Sequence, residues 1–299
     1  MRVTYTILLS LFLCCGVSRA EHGVKRSNAG TLQVIEEQYK QFVFKGAALS
    51  FDAFSNAFTG FLNLKQAGML AENATLTIAD FSRSSNQKRL WVLDMVNHKV
   101  LFHSLVAHGQ GTGEEFAEAF SNTPESHQSS LGFYITGAIY EGQHGASLRL
   151  KGVDGKFNSK AEERAIVIHG ADYVSDDFAR ANQRLGRSHG CPALPTDIAP
   201  KVISKIHDGH CLFIYAPKKE YLQASVWLRK KPDMFNTWPD ATNSMMAIRY
   251  DDSEVCDTPA PEGLEASAGN QVKRIVLSPE EVERLGISKD KIKKSGTRE

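Results

Sequence analysis

Two short segments of this 299-residue chain carry residues whose types and placement could do chemistry. The first, Ile166-Val167-Ile168-His169-Gly170, is an apolar run that ends abruptly in a histidine and a glycine. The second is Gly186-Arg187-Ser188-His189-Gly190-Cys191-Pro192. A thiol becomes a nucleophile when its pKa falls or when a base stands beside it. A histidine at a strand end is fixed in direction, and Gly170 after it leaves room for a substrate. Gly190 lets the backbone approach closely, so the amides of Gly190 and Cys191 could face a developing oxyanion. Alone, a strand-end histidine is commonly a satisfied structural residue, and a cysteine in a glycine-rich loop is often inert. Their joint occurrence points to a cysteine nucleophile with an imidazole base, and leaves open whether His169 or His189 is that base. A zinc site would have to draw on His103, His108, His169 and His189, and these show no acidic residue or histidine pair at a recognised metal spacing. No metal and no organic cofactor are expected.

The compartment bears on that thiol. Arg2, the apolar run Ile7 to Val17, and the small residues Ser18 and Ala20 read as a secretory signal over residues 1–20, with cleavage before Glu21. The run is shorter than the roughly 20 apolar residues a bilayer span needs. Cys14 and Cys15 are each preceded by a residue (Leu13, Cys14) unlike the small one of a lipid-attachment site. Loss of Arg2 and Arg19 leaves 33 basic against 34 acidic residues, a balance with no footprint for nucleic acid or an anionic membrane. No later run is apolar and long enough for stable membrane insertion. Export removes two of the five cysteines and keeps Cys191, Cys211 and Cys256, an odd number that suggests a free thiol. Only Cys211 and Cys256 could pair without disabling Cys191. Cys211 sits in the apolar run Cys211-Leu212-Phe213-Ile214-Tyr215, where a buried, reduced thiol is favoured.

The elements that must position these residues follow from periodicity. Residues 21–30 are polar and read as loose, whereas 32–70 favours helix, with Phe51, Phe54 and Phe58 at helical spacing, Asp52 and Ser55 near a start and Gly68 near the end. Beyond Thr75 short β-rich runs follow: 76–81, 89–96, 100–107, 132–140, 147–152 and 165–169, with 96–100 as a hairpin turn. Residues 198–206 read as a helix capped by Thr196 or Asp197 and stopped at Gly209, ahead of a buried strand over 211–215. These runs imply a mainly β domain, a β-rich sheet or sandwich over 75–217, behind an N-terminal helical region at 21–74. Residues 218–299 read as a largely linker-like extension, with a possible short helix from Ser278 to Leu285.

The chain resembles the L,D-transpeptidase catalytic domain, the YkuD-like fold, and within it the murein L,D-transpeptidase branch of largely Gram-negative bacteria. The residues that carry this are Val106-Ala107-His108-Gly109, Phe120-Ser121-Asn122, Ser129 to Tyr134, Ser147 to Leu150, Arg164 to Gly170 and Gly186 to Pro192. The resemblance implies a β-rich fold and a two-step acyl transfer. Cys191 matches the nucleophile, His169 its base, and Gly170 the carbonyl that orients the ring. Ser188, His189 and Gly190 match the site-shaping loop, with the amides of Gly190 and Cys191 as oxyanion donors. Arg184 and Arg187 are candidate partners for a substrate carboxylate. The implied substrates are peptidoglycan stem peptides, and the implied place is the periplasm. Two features depart from the family pattern: 18 residues separate His169 from Ser188, and Ala193 stands where a polar residue is usual. Hydrolysis in place of transfer would make the chain an L,D-carboxypeptidase. Other cysteine peptidases fit less well, because NlpC-type hydrolases place cysteine before histidine and sortases separate the two much further. A non-catalytic wall-binding protein would not need both elements intact.

Overall fold

The computed structural model describes residues 20–233, with side chains from residue 30 onward. The apolar leader, Cys256 and the helix anticipated near Ser278 lie outside the described residues. Two helices open the chain, α1 (Ala20–Lys40) and α2 (Phe51–Gln66). Residues 21–30 therefore carry helical backbone, contrary to the loose segment their polarity suggested. Glu, Lys, Arg and Ala are good helix formers, and polarity by itself does not oppose a helix. The expected single helical stretch is interrupted over residues 41–50. Ser50 caps α2, accepting from the Ala53 amide at 3.2 Å. The expected start at Asp52 or Ser55 is thus moved back, to the residue before the apolar stripe begins.

Eight strands follow: β1 (Leu76–Asp80), β2 (Leu90–Asp94), β3 (Lys99–Ser104), β4 (Gly132–Gly142), β5 (Gly145–Gly152), β6 (Val167–Gly170), β7 (Ala193–Leu194) and β8 (Cys211–Tyr215). They form one mixed sheet in the order β3-β2-β1-β8-β4-β5-β6-β7. The β1–β8 and β6–β7 pairs are parallel and the others antiparallel. The sheet curls until its ends nearly meet. Just past β3, Ala107 donates its amide to Ala193 of β7 at 2.9 Å. The architecture is mainly β and nearly barrel-like, as the run of short strands implied.

The helical layer packs onto this sheet rather than standing apart. Phe54, Phe58 and Phe61 of α2 are buried in the same apolar cluster as Phe133 of β4 and Phe213 of β8, whose rings stack at 4.2 Å. Gly60 lets the helix close on the sheet, since a Cβ there would lie 1.9 Å from the Phe133 ring. Cys211 is a free thiol with no exposed surface, in the strand between β1 and β4. Helix α4 (Ala199–Ile206) starts at Ile198 without a side-chain cap, the Thr196 or Asp197 cap being replaced by turn bonds onto the Pro195 carbonyl. Helix α3 (Asp176–Asn182) lies in the long gap between the two chemical segments.

Two further helices, α5 (Lys219–Ala224) and α6 (Val226–Arg229), occupy sequence whose composition suggested linker. Their anchor is Asp154, a carboxylate 2% exposed. It accepts from Tyr221 Oη at 2.8 Å, Ser225 Oγ at 2.6 Å and the Phe133 amide at 2.9 Å. Trp227 Nε1 donates to the Val153 carbonyl at 2.8 Å. Asp154→Ala would leave three buried donors without an acceptor, each worth about 1–3 kcal/mol. Urea unfolding of that variant is expected to show a loss on the order of 3 kcal/mol, and a chain ending at residue 217 should be less stable still.

Candidate active site

The parallel pairing of β6 with β7 sets His169 opposite Ala193 and Gly170 opposite Leu194. Followed back two residues, that register puts Cys191 beside Val167, and the Val167 amide donates to Cys191 Sγ at 3.5 Å. Side chains two apart share a face of a strand. Thiol and imidazole therefore stand on one side of neighbouring chains and line the same cleft of 670 Å³. The thiol itself rests against the backbone of β6, with its second contact to the Ala165 carbonyl at 3.7 Å.

His169 is 4% exposed, and its Nδ1 lies 2.9 Å from the Gly170 carbonyl. A carbonyl can only accept, so the neutral ring carries its proton on Nδ1 and keeps the Nε2 lone pair free. Burial lowers the His169 pKa, and the Gly170 bond opposes that shift only in part. His144, at the tip of the β4–β5 hairpin, stacks on the ring at 4.5 Å and pushes in the same direction as burial. Burial also pushes the Cys191 thiol up, against the Val167 amide and the Arg164 guanidinium. Both shifts favour the uncharged thiol and the uncharged imidazole.

Ser188 holds the loop that delivers the thiol. Its Oγ donates to the Cys191 carbonyl at 2.6 Å and accepts from the Gly190 amide at 3.0 Å. Its own amide donates to the His108 carbonyl at 3.0 Å, and its carbonyl accepts from Gln110 at 2.7 Å. The Gly190 amide, one of the two candidate oxyanion donors, is thus engaged within the loop. Gly190 adopts φ +120°, and a Cβ there would lie 2.8 Å from the Gln128 carbonyl. Gly109 faces it, where a Cβ would lie 2.8 Å from Gly190 Cα. The two glycines let one loop lie directly on the other. His189 is exposed and stacks on His127 at 4.2 Å, whereas His169 is buried with its ring oriented by the Gly170 carbonyl.

The two arginines part company. Arg187 lines the cleft but is tied to Glu114 at 2.6 Å and to the Gly113 carbonyl at 3.1 Å. Arg184 pairs with the same carboxylate at 2.8 Å and is not among the cleft's lining residues. Three contributors went unnoticed in the sequence. His144 sits in a Gly-bounded turn, where a histidine signals nothing. Tyr173 borders the cleft with its phenol pushed up to about 12, by burial first and the nearby thiol second. Arg164 stands in the stretch that carries the family resemblance, where nothing local gives it a role of its own. As for metal, among the described residues no three His, Cys, Asp or Glu side chains converge to hold an ion. His108 instead accepts from the buried Arg89 at 2.7 Å, and its pKa falls to about 4 through burial and that cation.

This geometry coincides with a match to known sequences. A model of the L,D-transpeptidase catalytic domain family matches residues 45–215, more than half of the chain. The chain belongs to that family. Solved structures similar to this L,D-transpeptidase-family chain include an L,D-transpeptidase in complex with imipenem, at 14% identity and a TM-score of 0.30 over 48% of this chain and 59% of that one. Another is an L,D-transpeptidase from Mycobacterium smegmatis, at 13% identity and 0.30 over 48% and 58%. A third, from Mycobacterium tuberculosis, shows 15% identity and 0.28 over 48% and 58%. The chain thus spans under two thirds of the length of these solved proteins. No curated protein sequence matches it.

The loop geometry carries its own test. Gly190→Ala must accommodate a φ that L-residues avoid and a contact with the Gln128 carbonyl, a strain of about 1–3 kcal/mol before any clash. Its melting temperature should fall, and alkylation of Cys191 should slow relative to the parent chain.

Proposed function

We propose that the chain is an exported peptidoglycan L,D-transpeptidase in which Cys191 is the nucleophile and His169 its base. The observation that supports this most is the shared cleft of an oriented imidazole and a loop-borne thiol. Export rests on the leader-like residues 1–20, and among the described residues no helix is long and apolar enough to cross a membrane. The periplasm is the compartment this implies.

The chemistry runs in two halves. His169 Nε2 takes the Cys191 proton as sulfur attacks the carbonyl carbon of the third residue of a tetrapeptide stem. The oxyanion is met by the Cys191 amide. The C–N bond to the terminal D-alanine breaks, and the leaving nitrogen takes the proton back from His169, leaving a thioester. A side-chain amine of a second stem then attacks, gives its proton to His169 and expels the sulfur, forming a 3→3 cross-link. Because burial keeps both partners uncharged at rest, proton transfer accompanies attack rather than preceding it. The thiol must leave the β6 backbone to meet Nε2, a tightening that substrate binding can drive. Gly170 and Ser188 act by holding ring and loop. Arg187 borders the donor cleft and could meet a stem carboxylate only by sharing its bond with Glu114, and Arg184 is too occupied to do so.

Mass spectrometry of muropeptides incubated with the purified protein tests this directly. The expected products are 3→3 dimers and free D-alanine, and tripeptides alone would make the chain a carboxypeptidase. Cys191→Ala should abolish turnover and acylation by imipenem while leaving the fold intact, and undiminished acylation of that variant would overturn the assignment. Turnover should persist after exhaustive chelation. A further expectation concerns pH. With the His169 pKa below the ordinary 6.5, the imidazole stays unprotonated to lower pH, so the acid limb of kcat/KM should fall below pH 6.5.

A further inference from the structure

Arg164 lies in the bend before β6, half-buried against the loop that carries the thiol. Its Nη1 donates to the Ser121 carbonyl at 2.8 Å and to Ser130 Oγ at 2.6 Å. Its Nη2 donates to the Gln128 carbonyl at 2.6 Å and to Ser126 Oγ at 3.3 Å. Every one of these acceptors is uncharged. The contrast with Arg184 and Arg187 is chemical, because those two share an ion pair with Glu114, whereas no carboxylate pairs directly with Arg164 and Glu125 acts on it only from beyond ion-pair distance. A guanidinium whose Nη hydrogens are all engaged is poorly placed to fork onto a substrate carboxylate. What it retains is its charge, and that charge lies directly behind Gly190. A Cβ built on Gly190 would sit 3.2 Å from Arg164 Nη2, so only a glycine backbone separates the guanidinium from the residue bearing the thiol.

The geometry points to Arg164 as a positioning residue that supplies the positive field for the Cys191 thiolate, by a charge clamped on neutral acceptors beneath the Gly190–Cys191 loop. This rests on Cys191 being the nucleophile. An opposite charge within a few ångströms stabilises a thiolate most where water is scarce. Burial pushes the Cys191 thiol up, and Arg164 is the charged group that works against it. The other titratable or charged groups lining the cleft with the thiol are His169 from β6, Tyr173 beyond it, Arg187 and His189 from its own loop, Tyr140 from β4 and His144 from the β4–β5 turn, while Tyr134 and Glu125 act on Arg164 itself. No Asp or Glu lines this cleft among the described residues. The ion pair with Glu114 and the hydrogen bond to Gly170 occupy Arg187 and His169, which leaves Arg164 as the permanent charge lining the cleft that has no ion-pair partner.

The test reads the thiol itself, with no peptidoglycan present. The full chain is alkylated with iodoacetamide across a pH series, and the Cys191-containing peptide is followed by mass spectrometry, which separates it from buried Cys211. Arg164→Gln should move the alkylation midpoint up by about one pH unit, a roughly tenfold slower reaction at neutral pH. Arg164→Lys, which keeps the charge and loses the fork, should hold the midpoint near that of the parent. Ser126→Asp keeps the other three acceptors and sets a carboxylate against Nη2 in place of the serine hydroxyl. It should raise the midpoint like the glutamine variant, and it decides the matter if Arg164→Gln fails to fold. A midpoint unmoved by Ser126→Asp, or moved as far by lysine as by glutamine, overturns the proposal. Full muropeptide turnover by Cys191→Ala would instead overturn the assignment of the nucleophile and leave this midpoint readable.

Discussion

Two residues of strand, Ala193 and Leu194, carry the geometry of the site. They pair with His169 and Gly170 on one side, and the Ala193 carbonyl takes the Ala107 amide on the other. So short a strand has little pairing of its own, and holds its register because a loop is fastened immediately before it. Ser188 ties that loop to itself through the Cys191 carbonyl and to the segment after β3 through His108 and Gln110. Closure of the sheet and presentation of the thiol are thus one event. A change that loosened the contact between Gly109 and Gly190 would release both.

Burial then sets the electrostatics. It raises the thiol pKa and lowers that of the imidazole, so each group rests in its uncharged form. The carbonyl of Gly170 holds the imidazole in one tautomer, and the cleft is lined by Arg164 and Arg187 and, among the described residues, by no Asp or Glu. The exposed histidines, His144 on the imidazole and His189 on His127, wall the opening with flat rings rather than bulky aliphatics.

The helical layer and the last two helices complete the support. Helix α2 covers one face of the sheet through a phenylalanine stripe and a glycine contact with Phe133. The Phe133 amide donates to Asp154, which also gathers Tyr221 and Ser225 from α5 and α6. One buried carboxylate therefore joins β4 to the end of the described chain. It lies in the same core that carries β8, whose Cys211 behaves as a small apolar residue.

The sequence by itself determined the mainly β architecture and seven of its eight strands in chain order, and it singled out His169 and Cys191 as candidates. Alternation of apolar residues, glycine-bounded turns and a His-Gly beside a Gly-Cys are local signals, legible without any partner. It also determined the phenylalanine face of α2 and the burial of Cys211, since both follow from apolar runs. Only the tertiary structure decided that His169 rather than His189 has the oriented ring, because that turns on which nitrogen meets the Gly170 carbonyl. It likewise tied the Gly190 amide to the Ser188 hydroxyl, matched Arg184 and Arg187 with one glutamate, and drew α5 and α6 into the core. Strand β7 escaped notice because two residues make no period, and Arg164 because its acceptors, Ser121 to Ser130, lie more than thirty residues earlier. Whether a polar group is free or spent depends on partners distant in sequence, and periodicity holds no record of them.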